Sequence, residues 1–452
     1  MTGLPLIIVF VLAIVVMIVA ISKFKVHPFL AIMSISLILA LLAGIPLGDI
    51  ANVIGAGFSG TFSSIGIVII LGALIGTILE QTGAALKLAD MVVKIVGQKN
   101  PELAIELMGW VVSIPVFCDS GFVILDPIRR AMVRRTGTSS VAMTVALSAG
   151  LYISHVFIPP TPGPIAAANT LGIGDNLLLV MGMGAAASIL PLIAGLVYAK
   201  YIGKKVKSAD ETGAADETVK TYEELVASYG KLPGGFNALA PIIVPIILMA
   251  MGSIASMAGW TGIAFELFNF LGKPVIALAV GTVCGVIQLA TAGKMGNFYE
   301  LTNDTLKVTG PILFVTAAGG VLGKVISSSD MVTYITEHAT ILGSMGIFFP
   351  FLLAAILKSA QGSSTVAITT TAGIVAPLLP AMGITTPAEI SLVVMAIGAG
   401  AMTVSHANDS YFWVVTNFGQ MTPEQGYETQ TAMTLVLGLA SMVGIFILSL
   451  IF

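Results

Sequence analysis

Long apolar runs, separated by short polar or glycine- and proline-bearing turns, dominate the chain. Residues 4–21, 29–43, 176–199 and 431–452 are almost unbroken in apolar side chains. Each run approaches the ~20 residues that a helix needs to cross about 30 Å of hydrocarbon. The pattern therefore predicts an all-α membrane protein with about ten transmembrane helices. Two further stretches, 101–128 and 346–379, have apolar arms too short to cross separately and predict re-entrant hairpins. Two more, 138–171 and 388–420, are long enough to cross but carry proline or polar clusters that break the helix. The one long polar segment, 205–232, divides the chain nearly in half and reads as a connector, with a short helix over 217–229.

Each half has the same order of parts. The first, 1–203, has spans near 3–22, 27–46 and 58–80, an amphipathic stretch at 84–98, the hairpin 101–128, the broken helix 138–171 and a closing span. A linker at 204–235 follows. The second, 236–452, has spans near 237–257, 274–291 and 309–325, an amphipathic stretch at 331–341, the hairpin 346–379, the broken helix 388–420 and a closing span. Local sequences echo each other too. Gly72-Ala-Leu-Ile-Gly76 is similar to Gly319-Gly-Val-Leu-Gly323, and Ser154-His155 aligns with Ser405-His406. Five crossings plus a non-crossing hairpin would insert the second half upside down. Such inverted-topology repeats hold a transporter's substrate near the midplane, where broken helices meet.

The distribution of cations orients this plan. All of the 20 Lys and Arg residues except Lys273, Lys324 and Lys358 fall on one side of it. The positive-inside rule makes that side cytoplasmic, so the linker is expected inside and the N-terminus outside a bacterial inner membrane. Hairpin 101–128 then enters from the cytoplasm and hairpin 346–379 from outside. The first apolar run has no basic region ahead of it and reads as a retained span rather than a signal peptide.

Composition supports the membrane reading. Of 452 residues, 56% are hydrophobic and 10% charged, where a soluble protein would have roughly 25% charged; mean hydropathy is +1.01. A net charge of −3 without basic blocks argues against a nucleic-acid partner. Two cysteines, Cys118 and Cys284, make neither a disulfide framework nor a zinc spacing. There is no phosphate-binding loop, metal-ligand cluster or nucleophile arrangement, so neither an enzyme nor a bound cofactor or metal is expected.

Four segments carry the polar chemistry. The first hairpin tip, Pro115-Val-Phe-Cys-Asp119-Ser-Gly121, places a carboxylate at membrane depth, where it is costly and a functional candidate by default. Asp119 reads as a proton carrier or a helix cap, with Ser120 and Gly121 beside it for substrate. The second tip, Lys358-Ser-Ala-Gln-Gly362-Ser-Ser-Thr365, offers Gln361, Gly362, Ser363, Ser364 and Thr365 around helix-start amides suited to an anion. Ser154-His-Val-Phe-Ile-Pro-Pro-Thr-Pro-Gly-Pro164 cannot stay helical and presents His155 and Thr161 at its break. Ser405-His-Ala-Asn-Asp-Ser-Tyr-Phe-Trp413 places Ser405, His406, Asn408 and Asp409 in an otherwise apolar span. Asp409 reads as a proton carrier or as a cap on the second half-helix. Hydroxyls and amides with two acids and two histidines suit a hydrogen-bonding anion. Protonation of Asp119, His155, His406 or Asp409 would couple its movement to H+. Na+ held by hairpin hydroxyls and carbonyls is the alternative coupling ion. A channel, or the membrane subunit of a pump, is the reading from another class.

Over essentially the whole chain these segments resemble the gluconate permease (GntP) family of the ion transporter superfamily. The sharpest points are Ser405-His-Ala-Asn-Asp409 with Trp413, Ala360-Gln-Gly-Ser-Ser-Thr-Val-Ala367, Pro159-Pro-x-Pro-Gly-Pro164 and Lys25-Val-His-Pro-Phe29. The resemblance implies a proton-coupled, elevator-type symporter for gluconate or a related small hydroxy-carboxylate. It also implies a homodimer in which hairpins and broken helices move substrate and the outer spans form the contact. Relatives that take D-serine make a zwitterion an alternative. Asp119 and Thr161 depart from the Glu and His that the resemblance implies there, pointing to a different substrate size or altered coupling.

Overall fold

A computed structural model describes residues 3–88, 91, 100–212, 227, 232–257, 259–330, 334, 345–406 and 409–452. Ser120 and Gln361 are described for their backbone alone. Among these residues the chain is helical throughout, with no strand. Six helical segments are long and apolar enough to cross a bilayer, and several shorter apolar helices accompany them. The chain is thus a multi-pass membrane protein. The expected amphipathic stretches at 84–98 and 331–341 and the linker helix at 217–229 fall largely outside the described residues.

The opening helices are α1 (Gly3–Ser22), α2 (Pro28–Leu42) and α3 (Leu47–Gln81), the last beginning well before the stretch near 58–80 expected from sequence. Pro28 starts α2, where its missing amide hydrogen costs nothing, and His27 caps it by accepting from the Phe29 amide at 3.2 Å. The first hairpin follows as α4 (Pro101–Val112) and α5 (Cys118–Thr136). Its turn is only residues 113–117. Asp119 and Gly121, expected in an irregular tip, lie instead in the first helical turn of a second arm that continues well past residue 128.

The first broken helix is α6 (Ser140–Phe157) and α7 (Pro162–Thr170), and its closing span is α8 (Leu177–Ala187) running into α9 (Ile189–Ile202). In the second half come α10 (Gly235–Met257), α11 (Gly262–Leu271), α12 (Pro274–Thr291) and α13 (Phe298–Ser327). No element was expected at α11, a short helix with no buried residue. Its ten residues are too few to stand apart from the neighbouring apolar runs. Hairpin α14 (Phe348–Gln361) and α15 (Ser364–Val375), broken helix α16 (Pro387–Met402) and α17 (Ser410–Phe418), and closing helix α18 (Ala432–Ser449) complete the chain.

Burial separates two kinds of helix. Every residue of α6 is buried, as are most of α15 and all of α16 from Ser391 onward. By contrast α1, α9, α10 and α18 expose rows of Leu, Ile, Val and Phe, the surface a hydrocarbon solvent requires. The long helices α3 and α13 stand between the two groups. They cross closely at Gly57, whose missing Cβ would fall 2.7 Å from the Val321 Cα, and pair the Thr77 and Thr305 hydroxyls at 3.1 Å.

The repeated glycines lie on this seam. A Cβ at Gly72 would meet the Pro160 carbonyl at 2.7 Å, and one at Gly76 the Pro115 carbonyl at 2.2 Å. In the other half, a Cβ at Gly319 would meet the Thr369 carbonyl at 3.1 Å and one at Gly323 the Gly373 carbonyl at 2.7 Å. Small residues let backbones approach where no side-chain volume fits. Gly76→Ala should therefore lower the thermal unfolding temperature of the detergent-purified protein. Gly55→Ala, on the same helix with nothing within 4 Å of its Cβ position, should leave it unchanged or raise it slightly.

Candidate functional site

The two hairpins and the two helix breaks meet one another, and named side chains make the joins. Asp119 sits in the first turn of α5, where a carboxylate complements the exposed amides. Its Oδ1 accepts from the Ser410 hydroxyl at 3.1 Å, tying the first hairpin to the start of α17. Phe117, just before α5, lies 5.9 Å ring to ring from His155 at the end of α6. The first hairpin thus touches both broken helices.

Asp409 is the N-cap of α17. Its Oδ1 accepts from the Tyr411 amide at 3.0 Å, satisfying one of the orphan donors of a helix start. Its Oδ2 takes the Ser405 hydroxyl at 2.5 Å and the Lys358 ammonium at 2.6 Å. Lys358 is fully buried and also donates to the Gly362 carbonyl at 2.9 Å. This ion pair locks the second hairpin to the second break. The His406 Nε2 lies 3.1 Å from the Ser359 carbonyl, a second tie across the same junction. The cap that the sequence offered for Asp409 is therefore present, and its carboxylate is committed to three donors rather than left open.

The second hairpin turns on Gly362 alone in the left-handed region, φ +87°, where a Cβ would be strained. Ser363 then caps α15 by accepting from the Val366 amide at 3.3 Å. Ser364 reaches the phenol of Tyr152 on α6, and Thr365 is buried in the first turn. The Tyr152 ring packs 5.1 Å from Tyr411, whose hydroxyl donates to the Ser148 carbonyl at 3.1 Å. These two tyrosines bridge the two broken helices.

Other expected contacts are occupied locally. The Thr161 hydroxyl donates to the carbonyls of His155 and Ile158, at 2.9 and 2.8 Å, closing the end of α6. Ser405 is held on three sides. Its hydroxyl goes to Asp409, its carbonyl accepts from Thr431 at 2.6 Å, and its amide donates to the Thr434 hydroxyl at 2.9 Å. A Cβ at Gly121 would fall 2.7 Å from Leu151, so this glycine serves close packing. His155 lies within the last turn of α6, whereas His406 lies in the extended break, so the two are not in equivalent backbone settings. Asn408 and the side chains of Ser120 and Gln361 lie outside the described residues. A 400 Å³ cleft beside Met345, Glu389 and Phe446 contains none of these groups.

Lys358, Ser410, Tyr152 and Tyr411 were not assigned a role from sequence. Lys358 carried a usable signal, being the one cation that the charge plan left inside the membrane. The tyrosines carried none, since isolated aromatics in apolar helices are usual.

Two arginines read as surface cations are also interior. Asp126 receives the Nε of Arg129 and of Arg130, each at 2.6 Å, with Arg129 and Asp126 both fully buried. Arg129 continues to the Ser140 hydroxyl at 2.7 Å, and Arg130 to the Phe418 carbonyl at 2.9 Å. Phe418 ends α17, so these cations satisfy free carbonyls at a helix C-terminus. The base of the first hairpin is thereby fastened to the far end of the second broken helix.

Comparison with known proteins follows this geometry. The model of the GntP family permease matches residues 4–451. An uncharacterized permease of Haemophilus influenzae is 35% identical over 92% of this chain and 86% of its own length. A gluconate permease of Pseudomonas aeruginosa is 31% identical over 96% and 95%. Among solved structures, the Alcanivorax borkumensis YdaH transporter aligns with a TM-score of 0.64 at 16% identity, over 94% of this chain and 98% of its own.

Removing one member of a buried ion pair costs about 3–5 kcal/mol, because its partner stays charged and dry. Lys358→Met should thus strongly lower the unfolding temperature in detergent. The double variant Lys358→Met/Asp409→Asn should recover much of that loss, and additivity of the two single losses would rule out the pairing.

Proposed function

We propose that this chain, which belongs to the GntP permease family, takes up gluconate or a related small hydroxy-carboxylate by proton-coupled symport across the inner membrane. It is a permease and not an enzyme. The observation that carries the reading is the join between the four chain breaks, above all the Asp119–Ser410 hydrogen bond linking the first hairpin to the second broken helix. Half-helix starts, hydroxyls and an exchangeable carboxyl together suit a polyhydroxylated anion. The P. aeruginosa relative named as a gluconate permease supports that substrate class.

Geometry divides the candidate coupling groups. Asp409 is neutralised by Lys358 and held by Ser405 and Tyr411, so its protonation would strand a buried ammonium. Asp119 has a single hydroxyl donor from Ser410 and a weak thiol contact from Cys118, and is the freer carboxyl at the junction. The Lys358 ammonium also occupies an oxygen-lined position between the Gly362 carbonyl and Asp409 that a sodium ion would otherwise suit. That favours H+ over Na+ as the coupling ion.

Movement is proposed to be of the elevator type. The buried hairpins and broken helices carry substrate against α3 and α13, while lipid-exposed spans provide a homodimer contact. The N-terminus lies outside and the 204–235 linker inside, with the halves inserted in opposite senses. In a Cys118→Ala/Cys284→Ala background, cysteines placed at Arg134 and Thr385, exposed beside the bases of the first and second hairpins, should then label from opposite sides of the membrane in right-side-out and inverted vesicles.

Coupling is tested in proteoliposomes with labelled gluconate. An inward pH gradient without sodium should drive accumulation, and Asp119→Asn should reduce it at least tenfold. Accumulation that needs sodium and ignores the pH gradient would replace the reading with a sodium-coupled carrier. Flux that never exceeds equilibrium would replace it with a channel.

A further inference from the structure

One buried acid has no part in the joins described above. Glu106 lies in the middle of α4, the first arm of the first hairpin, and is fully buried. Neither carboxyl oxygen has a hydrogen-bond partner among the described residues. It sits in a tight, apolar slot. A Cβ at Gly195 on α9 would fall 2.6 Å from Glu106 Oε1, 3.0 Å from the Ala149 Cβ and 3.2 Å from Leu437 of α18. On the α6 side, a Cβ at Gly150 would overlap the Glu106 carbonyl. Gly195 therefore makes room for this carboxyl and Gly150 for the helix backbone that carries it, at the meeting of the first hairpin, the first broken helix and both closing spans.

Among the described residues, none of the titratable groups on the neighbouring elements bonds to this carboxyl. On α5, Asp126, Arg129 and Arg130 bond to one another, to Ser140 and to Phe418, while Asp119 faces Ser410. On α6, Tyr152 packs on Tyr411 and His155 on Phe117. On α9, the Tyr198 hydroxyl donates to the Glu428 carbonyl at 2.6 Å, and Lys200 and Tyr201 lie at the helix's last turn. Helix α18 carries no acid or base. A carboxylate in this slot would be an uncompensated charge in a dry interior, which several kcal/mol oppose. The neutral acid fits it, and a neutral acid in an apolar slot is a stored proton.

Along α4 the same face bears Glu102, Glu106 and Trp110 at four-residue spacing. Glu102 is partly exposed in the first turn, beside the hairpin's base, and the buried Trp110 indole nitrogen is also without a partner. The stripe leads from the hairpin's base to Glu106. We propose that Glu106 is a second proton-binding carboxyl of the transport cycle, loaded through Glu102 and carried with the first hairpin. The proton adds to one carboxylate oxygen on the loading side and leaves as H+ when the slot next opens to water. This inference rests on the proton-coupled reading above and assigns it a residue.

The test pairs transport with infrared spectroscopy of the full-length protein in proteoliposomes. Glu106→Gln keeps the size and neutrality of the protonated acid, so a merely structural role would be preserved. Accumulation of labelled gluconate driven by a pH gradient should fall at least tenfold in Glu106→Gln, while gluconate–gluconate exchange persists. The wild type should have a protonated-carboxyl band in an apolar environment that survives in Asp119→Asn and disappears in Glu106→Gln. Wild-type accumulation by Glu106→Gln, or a wild type without that band near neutral pH, overturns the proposal. Should the wild type ignore the pH gradient, the coupling reading fails. The band's presence and pH response then still decide whether Glu106 holds a proton.

Discussion

Inside a bilayer no solvent is available for an unpaired amide or carbonyl, and this constraint governs every break in the chain. Four helices of this protein stop or turn within apolar surroundings, and each stop leaves donors or acceptors to be satisfied. The remedies are specific. Asp409 and Ser363 cap the helices that restart, Thr161 closes the end of α6, and Arg130 covers a carbonyl at the end of α17. Because a break survives only away from lipid, against protein or a watery cavity, the four gather in contact with one another. Their meeting is a consequence of backbone chemistry before it is a feature of transport.

The partners that satisfy these breaks also decide which elements are tied together. Lys358–Asp409 joins the second hairpin to the second broken helix, while Asp126 with Arg129 and Arg130 joins the first hairpin to the far end of that helix. The tyrosines 152 and 411 join the broken helices directly. Contacts with the long helices α3 and α13 are of another kind. They run through glycine against bare carbonyl, at Gly72, Gly76, Gly319 and Gly323. Ion pairs and hydrogen bonds hold the inner group together, and smooth small-residue seams border it.

Local sequence carried most of the architecture because the hydrocarbon thickness imposes a length and a polarity on each span. It drew attention to 101–128, 138–171, 346–379 and 388–420 as stretches where helices would stop, and to the likeness of Gly72–Gly76 to Gly319–Gly323. It also marked Asp119, His155, His406 and Asp409, because polar groups in apolar runs are visible without any knowledge of contacts. Helix ends were less legible. Asp119 read as part of a tip running to Gly121 but lies in a helical turn, since the irregular segment ends at Phe117. The short helix α11 left no separate trace.

What the sequence by itself determined is which groups are expensive in a membrane, and therefore which must have a reason to be there. Which group answers which was decided only by the tertiary structure. Asp409 and Lys358 are 51 residues apart, and Asp119 and Ser410 are 291 apart. Nothing local indicates that the first pair neutralises itself or that Glu106 is left without a hydrogen-bond partner among the described residues. Hydrophobic periodicity is a property of neighbours along the chain. Compensation of buried charge is a property of neighbours in space, and only folding brings those together.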